Sequence, residues 1–295
     1  MSTSVIEPLP TKPHKHLQCM EIWGGNRFVE SGVELPGLDA WVYSRPHGGD
    51  EGGGDVHYVS SCAAGMIARV LVADVAGHGN KVSETAQRLR QLMRRHVIFH
   101  DQAWLMRSLN REFAAVSSAG RFATAVVFTY DATTGRLIAS NAGHPPPLWY
   151  RADRRRWTFL QPRAVQSDAA NDGPLDVPFG IDDAVEYGRF EVTLSMGDAV
   201  VIYTDSLPEA RLDDTAMLGN DGLLDLVSEF DPATKPARLV PELLDRVTRR
   251  TGRPFEDDVT VLAFSPNGHR RQIPLHDKLL APLRFLRGVA GALVS

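Results

Sequence analysis

Residues 71–79 read Leu-Val-Ala-Asp-Val-Ala-Gly-His-Gly, and the rest of the chain is best understood from this stretch. The apolar run that begins at Val70 predicts a buried β-strand that ends at Asp74. An ionised carboxylate at such a strand end is costly unless a cation or hydrogen-bond donors compensate it. The glycines that follow would let backbone carbonyls and a ligand approach closely. The stretch therefore predicts either a hard-cation site at Asp74 or an Asp that caps the next helix.

Three further acidic strand ends favour the cation site. Residues 53–55 (Gly-Gly-Asp) open the strand pair that leads to Asp74, and residues 199–205 form a second apolar strand that ends in Asp. Residues 257–264 are the reverse case, because two aspartates precede an apolar run. Carboxylates that converge at one edge repel one another unless cations lie between them. Oxygen-rich sites of this kind suit Mg²⁺ or Mn²⁺ better than Zn²⁺.

Length and composition limit the classes of protein to consider. The chain has 295 residues, 43% of them hydrophobic, and a formal net charge of −4. It is long enough for one large domain, and its mildly acidic balance gives no support for nucleic-acid binding. Two cysteines, Cys19 and Cys62, are too few for a disulfide framework, so we expect a cytoplasmic location. No apolar run approaches the ~20 residues of a membrane span, so a membrane partner is not expected.

The hydrophobic patterning predicts an α+β fold rather than alternating β-α-β units. We expect a flexible leader over residues 1–16, one folded domain over residues 17–266 and a helical tail over residues 267–295. Helices are predicted over 80–99, 101–113, 222–230 and 237–250. Strands are predicted over 38–43, 56–59, 67–73, 122–130, 136–141, 148–150, 185–194, 198–204 and 259–264. Residues 46–54 read as a flexible loop and residues 164–183 as a long surface loop.

Five motifs follow one another along the chain: Gly-Gly-Asp (53–55), Asp-Val-Ala-Gly-His-Gly (74–79), Asn-Ala-Gly-His-Pro-Pro-Pro-Leu (141–148), Tyr-Thr-Asp-Ser-Leu-Pro-Glu-Ala (203–210) and Asp-Asp-Val-Thr-Val-Leu (257–262). In this order they resemble the motifs of the PPM metal-dependent protein phosphatases, in particular the bacterial SpoIIE/RsbU-like branch. The resemblance covers roughly residues 38–265. It implies two antiparallel β-sheets packed as a sandwich, with helices outside and the metals at one edge.

The resemblance also implies a set of metal ligands. In the resembled family two divalent cations, Mn²⁺ or Mg²⁺, hold a bridging water that attacks phosphorus without a phospho-enzyme. By motif position, Asp74 would bridge both ions and the Val75 carbonyl would bind the second. Asp205 and Asp257 would complete the shell of the first ion, and with Asp74 they are the expected catalytic carboxylates. Asp55 would bind the second ion or orient its waters, unless it only hydrogen-bonds backbone at a turn.

Other polar residues in these motifs are expected to play smaller parts. Asp258 could bind near the metals or could merely hydrogen-bond backbone at a turn. His78 is expected to shape the Gly-His-Gly turn rather than to act as a general acid. His144 is expected to close its hairpin near the site, and Asn141 and Glu209 to support the ligands at most.

Three positions depart from the family pattern. Ser206 stands where the family often has Gly, and Pro208 where Thr is common. Asp50 occupies the position at which many eukaryotic relatives have a phosphate-binding Arg. The bacterial branch commonly lacks that Arg too, so the sequence leaves recognition of the substrate phosphate without an assigned residue.

A different enzyme class is suggested by residues 48–51, Gly-Gly-Asp-Glu, which spell most of the diguanylate cyclase signature. That signature belongs on a tight hairpin, whereas residues 52–54 are a flexible Gly-Gly-Gly run. We therefore reject a cyclase. The expected activity is hydrolysis of phosphoserine or phosphothreonine on a regulatory protein, which in the resembled branch is often an anti-sigma-factor antagonist. The alternative is an inactive phosphatase fold that binds a signalling partner.

The tail over residues 267–295 carries an apolar stripe of helical spacing. The stripe consists of Leu275, Leu279, Leu283, Leu286, Ala290 and Leu293. It could dock on the chain's own domain or form a homodimer. A basic flank also leaves binding to a membrane surface open.

Overall fold

The computed structural model of the protein describes residues 15–17, 21–62, 66–77, 80–96, 101–116, 121–162, 177–232 and 236–269. Several predicted features fall outside these ranges: residues 1–14 of the leader, His78, residues 164–176 of the long loop, and the tail from residue 270 onward. Among the described helices, none is both long enough and apolar enough to cross a membrane.

Thirteen strands form within the described ranges. They are β1 (Lys15–His16), β2 (Ile22–Gly25), β3 (Val29–Leu35), β4 (Leu38–Arg45), β5 (Asp55–Cys62), β6 (Ile67–Val75), β7 (Ala123–Asp131), β8 (Arg136–Ala142), β9 (Leu148–Arg151), β10 (Arg156–Phe159), β11 (Phe190–Thr193), β12 (Ala199–Tyr203) and β13 (Val259–Pro266). The first sheet has seven strands in the order β1-β3-β4-β13-β12-β9-β10, and the second has six in the order β11-β8-β7-β6-β5-β2. The pairings between these strands are antiparallel, apart from a short parallel contact of β1 with β3.

Four α-helices flank the sheets in the described part of the chain: α1 (Asn80–His96), α2 (Gln102–Val116), α3 (Gly219–Ser228) and α4 (Leu239–Thr251). Asp101 caps α2 as predicted, because its Oδ1 accepts hydrogen bonds from the backbone N–H of Ala103 and Trp104 at 2.9 and 3.1 Å. The helix α4 ends at Gly252, whose φ of 65° suits a residue without a Cβ.

The alternation of buried side chains along β6 shows how the layers pack. Val70 and Val72 lie in the apolar cluster between the two sheets, whereas Leu71 and Ala73 lie in the cluster beneath α1 and α2. A third cluster joins the outer face of the first sheet to α3 and α4. The protein is therefore a β-sandwich with a helix pair on each outer face, which confirms the predicted α+β sandwich.

Three differences from the predicted elements have physical reasons. The patterning missed β2 and β3, where glycines interrupt the alternation, and it missed β10, a strand of four residues that follows a run of arginines. The predicted strand over 185–194 is wrong in its first half, because only Phe190–Thr193 forms β11. Tyr187 instead packs edge-on against Phe179, with ring centroids 5.5 Å apart, so tertiary packing overrides strand propensity there.

Candidate active site

The sandwich brings six carboxylates to one edge, where β5 begins, β6 and β12 end and β13 begins. This acidic edge consists of Asp55, Asp74, Asp205, Glu209, Asp257 and Asp258. The charged groups that act most strongly on Asp74 are all carboxylates of this set. The structure therefore brings together the four aspartates that the sequence singled out, together with Asp258 and Glu209.

Asp55 and Asp74 lie directly opposite each other on β5 and β6. Two like charges in this position are destabilising, because cross-strand neighbours share one face of the sheet. Burial and repulsion by Asp74 and Asp258 raise the pKa of Asp55 well above its usual range. Burial and the charges of the other carboxylates raise the pKa of Asp74 to about 8. The pair is thus a site at which added positive charge would be strongly favoured.

Asp205 is presented by a tight turn that follows β12. The backbone N–H of Glu209 donates to the Asp205 carbonyl over 2.8 Å and closes the turn. Burial, and then the charges of Glu209 and Asp257, raise the pKa of Asp205 to about 6. Ser206, one of the departures from the family pattern, is buried with its Oγ 3.4 Å from the Thr204 hydroxyl. Ser206 therefore makes a polar contact within the turn and does not disrupt it.

Thr204 joins the two sheets beneath the carboxylates, a role that the sequence analysis missed. Its Oγ1 donates to Asp55 Oδ2 over 2.9 Å and accepts from the backbone N–H of Thr260 over 3.0 Å. Thr204 is fully buried. The available signal was a polar residue placed between the apolar strand β12 and Asp205.

Asp257 and Asp258 differ sharply in their surroundings. Asp257 is exposed at the rim, and its Oδ1 accepts from the N–H of Asp258 over 2.7 Å. Asp258 accepts backbone hydrogen bonds from His47 at 2.6 Å and Gly54 at 2.5 Å. These hydrogen bonds are those expected if Asp258 bonds to backbone at a turn, which was one of the two roles left open for it. The loop over residues 46–54, predicted to be flexible, is thereby fastened to the start of β13.

Gly54 brings the loop against the backbone of Val75. The N–H of Val75 donates to the Gly54 carbonyl over 3.3 Å. A Cβ at position 54 would lie only 2.9 Å from both the Val75 carbonyl oxygen and a methyl of Val82. Glycine is therefore required at position 54 for the loop to approach the Val75 carbonyl, which the family resemblance implies is a metal ligand.

His144 lies one strand away from Asp74 and is fully buried. Its Nδ1 is 3.1 Å from the hydroxyl of Thr124, the residue opposite Asp74 on β7. Burial lowers the pKa of His144 to about 3, so the ring is neutral at physiological pH. Asn141 exchanges two hydrogen bonds with the backbone of His144, at 2.7 and 2.9 Å. His144 closes this turn near the site, as expected, and Asn141 holds the backbone of His144 in place.

The donor set of the acidic edge suits a hard cation. Within the described ranges, no three His, Cys, Asp or Glu side chains already form a group that could hold a metal ion. Mg²⁺ can bind through one or two carboxylates and keep several waters, so direct binding by all three expected ligands of the first ion would require their side chains to move closer together. Carboxylates that raise one another's pKa, beside an approachable backbone carbonyl, provide that kind of site.

Comparison with known proteins agrees with this fold. The chain is similar to the RsbU and RsbW domains of a Mycobacterium tuberculosis protein, with 24% identity, a TM-score of 0.67, and coverage of 89% of this chain and 72% of that one. It is similar to the PP2C phosphatase domain of SpoIIE from Bacillus subtilis, with 14% identity, a TM-score of 0.64, and coverage of 83% and 71%. It is also similar to RsbX in complex with magnesium, with 14% identity, a TM-score of 0.57, and coverage of 81% and 100%.

The sequence itself gives the family. The family model described as Stage II sporulation protein E (SpoIIE) matches residues 66–267, which is more than half of the chain. This range includes four of the five motifs on which the resemblance was based, and the remaining motif lies just before it at residues 53–55. The structural likenesses support the same PP2C-type fold. The chain belongs to the SpoIIE family.

Proposed function

We propose that this protein is a metal-dependent phosphatase that hydrolyses phosphoserine or phosphothreonine on a regulatory protein. The observation that carries the proposal is the surroundings of Asp74. Its pKa is raised to about 8 by burial and by carboxylates from two other chain segments, the turn after β12 and the residues before β13. If no cation bound here, replacement of one of these carboxylates by an uncharged side chain would stabilise the fold, because buried uncompensated charge is costly.

The proposed ligands follow the motif positions. Asp74, Asp205 and Asp257 would hold the first ion, and Asp74 and the Val75 carbonyl would hold the second. Asp55 would bind the second ion or orient its waters. The hydrogen bond from Thr204 supports this role by holding one oxygen of Asp55 in place.

The bound cations would supply charge neutralisation and would acidify a water, so that hydroxide is available at neutral pH. The chain's own residues do the positioning. Asp258 holds residues 47–54 at the acidic edge through two backbone hydrogen bonds. The neutral, buried His144 braces the strand next to Asp74 without contributing a proton. Hydrolysis consumes one water and yields the protein with a free serine or threonine hydroxyl, together with inorganic phosphate.

Mn²⁺ and Mg²⁺ are the proposed cations. A solved structure of RsbX is a complex with magnesium, and one of the PstP catalytic domain contains two manganese ions. An edge of carboxylate and carbonyl oxygens suits both metals.

The proposed substrate is a small phosphorylated protein of a partner-switching system, such as an anti-sigma-factor antagonist. This proposal draws on the similarity to the RsbU and RsbW domains and to a protein of the bacterial stressosome. Both similarities lie below 25% identity, so they support the fold and suggest the substrate class.

The test is release of inorganic phosphate from a phosphoserine peptide, measured during titration with Mn²⁺ and again after excess chelator. We expect saturable, Mn²⁺-dependent release that the chelator abolishes. Release that persists in chelator would contradict the mechanism. A protein that binds Mn²⁺ but releases no phosphate from any ester would be the inactive partner-binding form of this fold.

A further inference from the structure

A cavity of about 230 Å³ opens directly beside Asp205 and Asp257. It lies between the turn after Asp205 and residues 254–257, which lead into β13. Its lining combines carboxylates with apolar side chains, among them Met217 and Phe255. A phosphate group placed at the proposed first ion would project into this cavity, because two of that ion's proposed ligands line it.

Arg211 is the basic residue of this cavity. Of the described residues that line it, Arg211 alone carries a positive charge, against the carboxylates of Asp205, Glu209, Glu256 and Asp257. Its side chain is 39% exposed. An arginine in this position can reach both the cavity and the solvent.

Arg211 forms a weak, solvent-exposed ion pair with Glu256. Its Nε donates to Glu256 Oε2 over 3.2 Å, and the Glu256 side chain is 68% exposed. Among the described residues, none forms a hydrogen bond or ion pair with the two terminal nitrogens of Arg211, Nη1 and Nη2. Exposed ion pairs of this kind contribute only about 0–1 kcal/mol. Arginine pairs more strongly with phosphate, because its planar fork donates two parallel hydrogen bonds.

We propose that Arg211 binds the phosphate group of the substrate. It leaves Glu256 when a phosphomonoester enters the cavity and turns its guanidinium to the phosphate oxygens. This inference rests on the proposed function and supplies the missing phosphate-recognition residue, since Asp50 stands at the position where other relatives have Arg. Its place in the chain is different, because Arg211 follows β12 instead of preceding β5.

The chain offers a matched control. Arg253 donates to Asp214 over 2.9 Å, and its side chain is 40% exposed, almost the same as Arg211. This pair ties together the same two segments as Arg211 and Glu256. Arg253 does not line the cavity. Comparison of substitutions at Arg211 and Arg253 therefore separates an effect on phosphate binding from the loss of a surface ion pair.

The experiment uses the full chain loaded with Mn²⁺ and compares Arg211→Ala, Arg211→Lys and Arg253→Ala with the parent. We measure kcat and KM for p-nitrophenyl phosphate, the inhibition constant of inorganic phosphate, and calorimetric binding of inorganic phosphate. Arg211→Ala should raise KM and the inhibition constant about tenfold, as expected for loss of a charge-assisted hydrogen-bond pair. Arg211→Lys should recover part of this loss, and Arg253→Ala should behave like the parent.

An Arg211→Ala protein with parental phosphate binding and parental KM would overturn the inference, as would an equal loss in Arg253→Ala. The inference and the proposed function can fail separately. If the parent hydrolyses no ester but Arg211→Ala weakens calorimetric phosphate binding tenfold, the phosphate site stands and the phosphatase proposal falls. If Mn²⁺-dependent hydrolysis occurs and Arg211→Ala leaves every constant unchanged, the phosphatase proposal stands and the phosphate site falls.

Discussion

The Thr204 hydroxyl donates to Asp55 Oδ2 over 2.9 Å, and this hydrogen bond joins the two sheets beneath the carboxylates. Thr204 follows β12 in the first sheet, and Asp55 begins β5 in the second. The same oxygen of Thr204 accepts from the N–H of Thr260. One fully buried side chain thus sets the separation of the sheets at the acidic edge and the orientation of Asp55.

Replacement of Thr204 by Val tests this junction. The β-branched shape is kept, but Asp55 and the N–H of Thr260 both lose a partner in a buried position. We expect the free energy of unfolding of the metal-free protein to fall by about 1–3 kcal/mol, the cost of leaving a buried polar group unsatisfied. Urea unfolding measures this change. Thr204→Ser keeps the hydroxyl and should lose less, and a Val variant as stable as the parent would contradict the role.

Replacement of Gly54 by Ala tests the approach of the loop to Val75. The added Cβ would lie 2.9 Å from the Val75 carbonyl oxygen, so either the loop or that carbonyl must move. We expect weaker Mn²⁺ binding by calorimetry, by about tenfold if one ligand is displaced. Gly25→Ala is the control, because its Cβ would meet Arg90 at an ordinary 3.8 Å. Equal Mn²⁺ affinity in parent and Gly54→Ala would argue against Val75 as a ligand.

The raised pKa of Asp74 predicts how stability depends on pH when metal is absent. Between pH 6.5 and 8 the folded protein holds a proton on Asp74, whose pKa is about 8, while an unfolded Asp with a pKa of 3.8 has released it. The folded state binds more protons, so the free energy of unfolding falls as pH rises, by up to about 1.4 kcal/mol per pH unit. The buried His57 and His144 have pKa values lowered to about 3 and affect stability mainly below this window.

This pH dependence is checked by urea unfolding in chelator at several pH values from 6.5 to 8. Asp74→Asn removes the titrating group, so its stability should change less with pH than that of the parent. Parallel curves for the two proteins would mean that Asp74 is not the group that holds the proton.

The Gly-Gly-Asp-Glu sequence at residues 48–51 should have no catalytic part. It lies in the connection between β4 and β5, which belong to different sheets, so it cannot sit on a hairpin. We expect Asp50→Ala and Glu51→Ala to keep phosphatase activity within a few-fold of the parent. Incubation with GTP, followed by chromatography, should give no cyclic dinucleotide. A cyclic product would restore the cyclase interpretation.

The sequence predicted that Asp55, Asp74, Asp205 and Asp257 converge, because each of these aspartates stands near one end of an apolar strand. Asp74 and Asp205 close such runs, and Asp257 precedes one. The sandwich arrangement itself came from the resemblance, because periodicity does not say which strands pair. Which strands pair depends on contacts between residues far apart in the chain, such as Val259 with Arg45.

Other features could not be predicted, because they depend on tertiary contacts. Thr204 looks like an ordinary strand residue until the second sheet places Asp55 beside it. Arg211 becomes notable only when the chain folds residues 254–257 around the same cavity. The strand expected at Val185 does not form, because Tyr187 packs against the ring of Phe179 instead of pairing in a sheet. Short strands rich in glycine, such as β2, carry too weak a pattern to be recognised.

The most direct test of the central claim is Mn²⁺-dependent hydrolysis of a phosphate ester by the parent, Asp74→Asn and Asp39→Asn. Asp39 is also a carboxylate whose pKa is raised by burial, but it lies at the opposite end of β4 and β13 and bonds Asn267. We predict that Asp74→Asn loses at least about a hundredfold in kcat, because loss of a metal ligand removes the metal's activation of the water, while Asp39→Asn stays within a few-fold. Parental activity in Asp74→Asn, or an equal loss in Asp39→Asn, would contradict a metal-activated reaction at the acidic edge.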